Sequence, residues 1–409
     1  MIRFNPAFDA FPVRIIPIPQ FADLALREVS ALGLKNALLC GSIIIGTADW
    51  STAYRLVYES RLTMRILLPL VSGAINNKDE LYNCAAKVGW EKILHSDSTF
   101  AVDIQGQHRQ FNRLGYAALV IKDAIVDNLR HHNGVRPSVD TDNPAVRIHA
   151  YLQDTSETVI SLDIGLGSMY KRGYRSAGGE APLNEVLASC LLEKVQYSPR
   201  YPLVDPFCGS GTILMEAAMR ILSIPAGYYR FNTVNDAVLF RHQIGSLHIW
   251  RKVKQSAHDI MHKKWDLLQK QTNGQLLVWG GDIDPRAVQL SKDTLAQLPE
   301  DFSLVSVSQQ DAHDITCPEP MKEKTGIILT NPPYDERIQT TDIQQLYIDF
   351  GLKAKKSFPN WDIHILTGNS KAAKAFPLRT SRKFPMYNGP IKCTLLSASI
   401  LPSKEKQEG

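Results

Sequence analysis

No stretch of the 409 residues reaches the roughly 18 consecutive apolar side chains that a bilayer-crossing helix requires, so no membrane span is expected. The first residues, MIRFNPAFDAF, lack the apolar run of a secretory signal. The six cysteines (Cys40, Cys84, Cys190, Cys208, Cys317 and Cys393) contain no CxxC pair. That removes the usual thiolate half of a zinc site, and they read as reduced thiols of a cytoplasmic protein. His131 and His132 lie in a polar stretch and read as solvated, so no metal is expected. No internal repeat is present, and only the tail Ser403–Gly409 reads as disordered. A strong charge of one sign is also missing: 46 basic and 41 acidic residues leave +5 overall. The excess is uneven. Residues 1–165 hold 16 basic against 17 acidic side chains, whereas residues 166–409 hold 30 against 24. The first part cannot attract a polyanion by bulk charge, and the second can.

What is present is ordinary for a globular protein, 44% apolar and 21% charged. At about 100–200 residues per domain the length predicts two or three domains. Residues 13–70 read as strand, helix, hairpin, helix, strand. The segments are Val13–Pro17, Phe21–Leu32, Ala37–Thr47, a helix capped by Asp49, and Leu62–Leu70. The βαββαβ order suggests a ferredoxin-like unit over 1–70. Residues 71–165 read as a second α+β unit. Its helices are Asp79–Gly89 and Ala117–Leu129, its strands Thr99–Ile104, Val146–Leu152 and Thr158–Ile164, and His131–Pro144 is a loop. From about 183 short apolar strands alternate with helices, the pattern of a doubly wound parallel sheet. The strands are Leu203–Asp205, Leu276–Trp279, Leu304–Val307, Ile327–Thr330 and Ile363–Leu366.

Four motifs sit at the ends of those strands, where open α/β sheets bind ligands. Asp205-Pro206-Phe207-Cys208-Gly209-Ser210-Gly211-Thr212 joins a strand to a helix through glycines that allow close backbone approach. Leu214 stands where a dinucleotide fingerprint needs its third glycine, and no P-loop lysine follows. Asp282 ends the second strand, where an acid can accept from ribose hydroxyls, while Asp284 suits a helix cap. Asp311 follows the third strand and could accept from an adenine amine, although a solvated loop acid is the plainer reading. Asn331-Pro332-Pro333-Tyr334 follows the fourth. There the Asn331 amide oxygen and the Pro332 carbonyl can both accept from one amino group. An exocyclic amine on a base is a poor nucleophile, because its lone pair is delocalised into the ring. Two acceptors on its hydrogens draw that pair out of conjugation and aim it at a methyl donor, by positioning and electrostatics alone. Tyr334 supplies a face on which an extruded base stacks.

DPFCGSGT followed by NPPY on successive strands resembles the Rossmann-like amino-methyltransferases that act on nucleic acid. The junction Tyr170-Lys171-Arg172-Gly173-Tyr174-Arg175, with Ala181-Pro182-Leu183-Asn184-Glu185, resembles the THUMP-domain RNA guanine-N2 methyltransferases. Pro225-Ala226-Gly227 with Arg230, and Met386-Tyr387-Asn388-Gly389-Pro390-Ile391, do so too. Within that family the bacterial large-subunit ribosomal RNA group is the nearest likeness. The likeness covers most of residues 165–398 and is looser before them. It implies a ferredoxin-like domain (1–70), a THUMP-like RNA-binding domain (71–165) and a Rossmann-like methyltransferase domain (166–409). It implies S-adenosylmethionine held by Asp205, Pro206, Phe207, Gly209, Ser210, Gly211, Thr212, Asp282 and Asp311. Ala181–Glu185 would approach that cofactor's methionine end, and Asn331, Pro332, Pro333 and Tyr334 would hold the base. The implied substrate is a guanine in RNA, ribosomal before transfer RNA, with no obligate protein partner evident. RNA contacts are expected from Lys171, Arg172, Arg175, Arg230, Arg382 and Lys383.

Two other readings stay open at this point. NPPY fits adenine N6 on RNA or DNA equally well, because adenine also presents an exocyclic NH2. A non-catalytic RNA-binding protein on a degenerate methyltransferase fold is the alternative from another class. The intact Asp205, Asn331 and Tyr334 argue against that second reading.

Overall fold

The computed structural model describes residues 10–402, apart from 96, 135, 155–156, 176–182, 233–243, 273–275, 300–302, 323 and 335–341. The tail Ser403–Gly409 and the junction residues Ala181 and Pro182 lie outside the described residues. The chain forms two compact units, Met1–Lys171 with Pro225–Ala257, and Arg172–Ile224 with His258–Gly409.

The first unit carries a seven-stranded sheet. Its strands are β1 (Phe11–Pro17), β2 (Lys35–Cys40), β3 (Ile43–Ala48), β4 (Thr63–Gly73), β5 (Phe100–Gln107), β6 (Val146–Gln153) and β7 (Thr158–Asp163). Their order is β2-β3-β1-β4-β7-β6-β5. The first four strands and the helices Ala22–Ala31 and Trp50–Glu59 reproduce the expected βαββαβ arrangement. Asp49 caps the second of these helices by accepting from the Thr52 amide. β4 pairs with β1 on one side and with β7 on the other, so one sheet runs through both expected N-terminal segments. The expected loop at 131–144 starts late, because the helix continues through Asn133 and ends at Gly134 in the left-handed region.

Residues 225–257 join this unit for an aromatic reason. Trp250 is fully buried and meets Tyr58 and Phe231 edge-on, with ring centroids at 5.6 and 5.3 Å. Gly227 donates its amide to the Tyr58 carbonyl at 2.8 Å, and a Cβ there would press on that carbonyl and on the Phe231 ring.

The second unit holds β8 (Leu203–Asp205), β9 (Val278–Asp282), β10 (Val305–Gln309), β11 (Ile327–Thr330), β12 (Asp362–Thr367), β13 (Arg382–Asn388) and β14 (Ile391–Ser399). The order β10-β9-β8-β11-β12-β14-β13 confirms the Rossmann-like winding and corrects one expectation. The sheet is not wholly parallel: β14 runs antiparallel to both β12 and β13. Gly389, at φ +58, and Pro390 close the β13–β14 hairpin in two residues, with glycine in the first position as a type II′ turn requires. One face of the sheet buries Val204, Ile328, Ile363 and Ile365 against Tyr347, Phe350, Phe358 and Trp361. Trp361 is core, and its indole donates to the Lys324 carbonyl. Among the described residues no helix is long and apolar enough to cross a membrane.

Candidate active site

β8 and β11 are neighbours at the point where the strand order reverses, and this crevice is where an open α/β sheet receives its ligand. Asp205 ends β8 and Thr330 ends β11. The Thr330 hydroxyl donates to Asp205 Oδ1 at 2.6 Å, and the Phe207 amide donates to the same oxygen at 3.2 Å. Asp205 is 1% exposed, and burial pushes its carboxyl up to about 7. The Thr330 and Phe207 bonds offset part of that rise, and the nearby Asp282 charge adds to it. A buried acid in this state gains most from a cationic partner.

The loop after β8 turns through Gly209 at φ +54 and Gly211 at φ +77. A Cβ on Gly211 would lie 3.0 Å from Ser291 Oγ, so glycine also lets the helix Pro285–Leu295 pack closely. The helix Thr212–Ile221 begins at Gly211 with no side-chain cap. Its first residues Thr212 and Ile213 line a cavity of about 760 Å³ together with Leu183, Asp205, Phe207, Gly209, Ser210, Asp284, Leu290 and Asn331. That volume is within the range of about 300–1,000 Å³ for small-molecule sites. Phe207 is held edge-on against Phe350 at 5.3 Å. Pro206 and Pro332 are buried in the turns and do not line the cavity.

Asn331 also lines it. Its Oδ1 is buried and makes no hydrogen bond to any described residue. A buried acceptor left unmatched costs about 1–3 kcal/mol, a cost that a ligand donor removes. Tyr334 is tethered by its hydroxyl, which accepts from Asn388 Nδ2 at 2.8 Å. Its ring lies on the backbone of Gly368, where a Cβ would come within 2.8 Å of Tyr334 Cδ2. Sequence reasoning missed Asn388 and Gly368 as parts of the site. The hairpin signal of Asn388-Gly389-Pro390-Ile391 marks the turn but not what its asparagine touches. The tether occupies the hydroxyl, so the stacking expected of Tyr334 falls to its ring. Tyr334→Phe is therefore expected to retain methyl transfer within about tenfold, and Tyr334→Ala to lose about 100-fold, base stacking being worth about 1–3 kcal/mol. Single-turnover rates on RNA decide it. A Phe variant as slow as the Ala variant would assign the hydroxyl a direct role.

Other expected residues are placed differently. Asp282 Oδ2 accepts from the Gly209 amide at 3.0 Å and Oδ1 from the Asp284 amide at 3.0 Å. It braces the glycine loop, while Asp284 both caps its helix and lines the cavity. Asp311 is not brought to the cavity. It accepts from the His313 amide and from His313 Nδ1 at 2.6 Å. Arg172 is 1% exposed and pairs with Glu216, so it cannot meet a phosphate. Arg175 is turned inward, donating to the Leu183 carbonyl and the Thr212 hydroxyl. Both were expected at an RNA surface. An arginine read from sequence defaults to solvent because burying its charge is costly, and the acids that make burial tolerable lie far along the chain. Arg382 and Lys383 are exposed on β13. Arg230 donates to the carbonyls of Gly165, Leu166 and Ser168. With Lys171, Arg65, Arg147 and the helix start Leu114–Gly115, it lines a separate cavity of about 1,020 Å³ in the first unit. Among the described residues no three His, Cys, Asp or Glu side chains gather as a metal site would.

The RMKL-like methyltransferase domain matches residues 172–397, more than half of the chain. The chain belongs to the RMKL-like methyltransferase family. A THUMP domain matches residues 76–163, ahead of the RMKL-like part. The ribosomal RNA large subunit methyltransferase K/L of Pseudomonas putida (strain F1) is 33% identical over 404 residues, 97% of this chain and 53% of that protein. The chain thus spans about half the length of the curated relatives it matches. Two solved structures share the fold. One, from Listeria monocytogenes, was described as a predicted N6-adenine-specific DNA methylase. It is 23% identical with a TM-score of 0.78, covering 97% of this chain and 98% of that one. The other, SMU.472, was solved in complex with S-adenosylhomocysteine and is 22% identical with a TM-score of 0.75, covering 98% of this chain and 100% of that one.

Proposed function

We propose that this RMKL-like chain transfers a methyl group from S-adenosylmethionine to the exocyclic N2 amine of a guanine in RNA, with large-subunit ribosomal RNA as the substrate. The observation that carries this reading is the buried Oδ1 of Asn331, unmatched among the described residues, on the wall of the cavity that Asp205 also lines. The cofactor, when bound, supplies an electrophilic methyl on a sulfonium. Asp205, buried and raised toward neutrality, would take the cofactor's ammonium as its counter-charge. The Gly209–Thr212 turn would admit the cofactor's body, and Asp282 would hold that turn through the Gly209 amide. Asn331 Oδ1 would accept from the amine at the cavity wall, and Tyr334 would stack on the extruded base. No strong base is required, because the proton leaves a nitrogen already made acidic by methylation.

Guanine is favoured over adenine by the residues around the site rather than by the site itself. The RGYR junction and the THUMP match point toward RNA, and the name of the Pseudomonas relative points toward the ribosome. In this reading 1–70 and 71–165 guide RNA, and Lys171, Arg230, Arg382 and Lys383 contact its backbone, in the cytoplasm where ribosomes are assembled. Asp311 would take an adenine amine only after exchanging its bond to His313. The test is mass spectrometry of nucleosides from protein-free ribosomal and transfer RNA treated with the protein and cofactor. N2-methylguanosine in the ribosomal RNA is the expected product. N6-methyladenosine as the sole product would replace the substrate assignment while leaving the chemistry of Asn331 intact.

A further inference from the structure

The segment Arg172–Arg175 is built into the second unit in a way that its basic character conceals. Glu216, fully buried on the helix Thr212–Ile221, accepts from the Tyr174 hydroxyl at 3.0 Å and from the Ser189 hydroxyl, and lies 3.5 Å from Arg172 Nε. These bonds pin the segment against the helix one turn beyond Thr212. Arg175 then reaches back along the same helix. Its Nη2 donates to Thr212 Oγ1 at 2.7 Å and to the Leu183 carbonyl at 3.0 Å, and sits 3.5 Å from Glu185 Oε1. Thr212 and Leu183 both line the 760 Å³ cavity. They come from separate segments, and one guanidinium nitrogen links them.

Asp284 and Leu290 line the same cavity from the side of β9. In open α/β folds the sugar lies beside the end of that second strand. Leu183 and Thr212 line the cavity from other segments together with Asp205, read above as the partner of the cofactor's ammonium, which assigns their wall to the cofactor's amino-acid part. We propose that Arg175 is a positioning residue for the cofactor's amino-acid end, holding Leu183 and Thr212 at a fixed separation, and is not an RNA contact. This rests on the reading of the cavity as the cofactor site.

The experiment compares S-adenosylhomocysteine with 5′-methylthioadenosine, which lacks the amino-acid group, by calorimetry on the wild-type chain and its variants. Arg175→Ala is expected to weaken S-adenosylhomocysteine by about 10- to 100-fold, the range for a charge-assisted hydrogen bond, and to leave methylthioadenosine within about twofold. Arg175→Lys should recover part of the loss, since one nitrogen makes all three contacts. RNA affinity should stay within about twofold of wild type. Removing Arg175 also takes from the buried Glu185 the stronger of its two cationic neighbours and leaves only Arg172, so the double variant Arg175→Ala/Glu185→Gln is included. It should restore the melting temperature without restoring S-adenosylhomocysteine affinity. A merely structural role would restore both, and would overturn the proposal. So would equal losses for the two ligands, or a loss of RNA affinity with ligand binding unchanged. A wild-type chain that binds neither ligand would instead overturn the cofactor reading, and this proposal with it.

Discussion

Asn331→Ala is expected to cut methyl transfer by roughly 10²–10³-fold, the usual cost of removing one preorganised hydrogen-bonding group from a reacting centre. Cofactor affinity and melting temperature should stay near wild type. The stability half of this expectation discriminates. A residue kept for folding would have its polar atoms satisfied within the protein, and its removal would cost stability. Asn331 Oδ1 is buried and unmatched among the described residues, so its removal relieves a penalty of about 1–3 kcal/mol in the folded state. The lost packing of a small side chain offsets part of that gain. An unchanged or slightly raised melting temperature together with a large loss of turnover marks a group held for a substrate. Single-turnover methyl transfer to RNA and a thermal melt on the same preparation give both numbers. Near-wild-type turnover in a folded variant would overturn the assignment.

Asp205→Asn is expected to weaken S-adenosylhomocysteine by about 30-fold or more, since truncating one partner of a buried charge pair costs about 2–5 kcal/mol. The more specific result is its pH dependence. In the free protein burial holds the Asp205 carboxyl at about 7, and only the ionised form can pair with an ammonium. Binding must therefore release the proton when the pH is below 7. Wild-type affinity should rise about tenfold between pH 6 and pH 7.5 and flatten above, while the Asn variant should stay flat. Stability of the free protein moves in the opposite direction. The folded carboxyl lies above its unfolded value of 3.8, so its contribution is complete below that value and is lost as the pH rises through about 7. The melting temperature of the free wild-type protein should then fall between about pH 4.5 and 7.5 and level off above, a slope that Asp205→Asn removes. Calorimetry and thermal melts across that range test both signs. Equal pH slopes in the two proteins would remove Asp205 from the ammonium site.

The two central motifs of the site were legible because their signals are local. DPFCGSGT declares a strand, a turn needing left-handed residues and a helix start, all within eight positions. NPPY does the same for a strand end with its carbonyls held open. The βαββαβ order was legible for the same reason, since periodicity and turn residues are read over a few neighbours. The β13–β14 hairpin also carried a local signal in Gly389-Pro390, yet its antiparallel insertion beside β12 depends on partners some thirty residues away.

By itself, then, the sequence determined the types of element, the winding of the second sheet and which residues stand at the ends of β8 and β11. The tertiary structure alone decided which charged and polar groups face one another. Arg172 and Arg175 read as solvent-facing cations until Glu216, Glu185 and Thr212 arrive from other segments to compensate their burial. Asp282 reads as a free acceptor until the Gly209 and Asp284 amides fall on it. Asn388 reads as a turn residue until its amide meets Tyr334, fifty-four positions away. Residues 225–257 read as part of the second unit until Trp250 is seen among Tyr54, Tyr58 and Phe231. The physical reason is common to all of them. Local conformation follows from short-range sterics and hydrogen bonding, which neighbouring residues reveal. The state of a charge or a polar atom follows from desolvation and pairing, and those are set by residues that only the fold brings near.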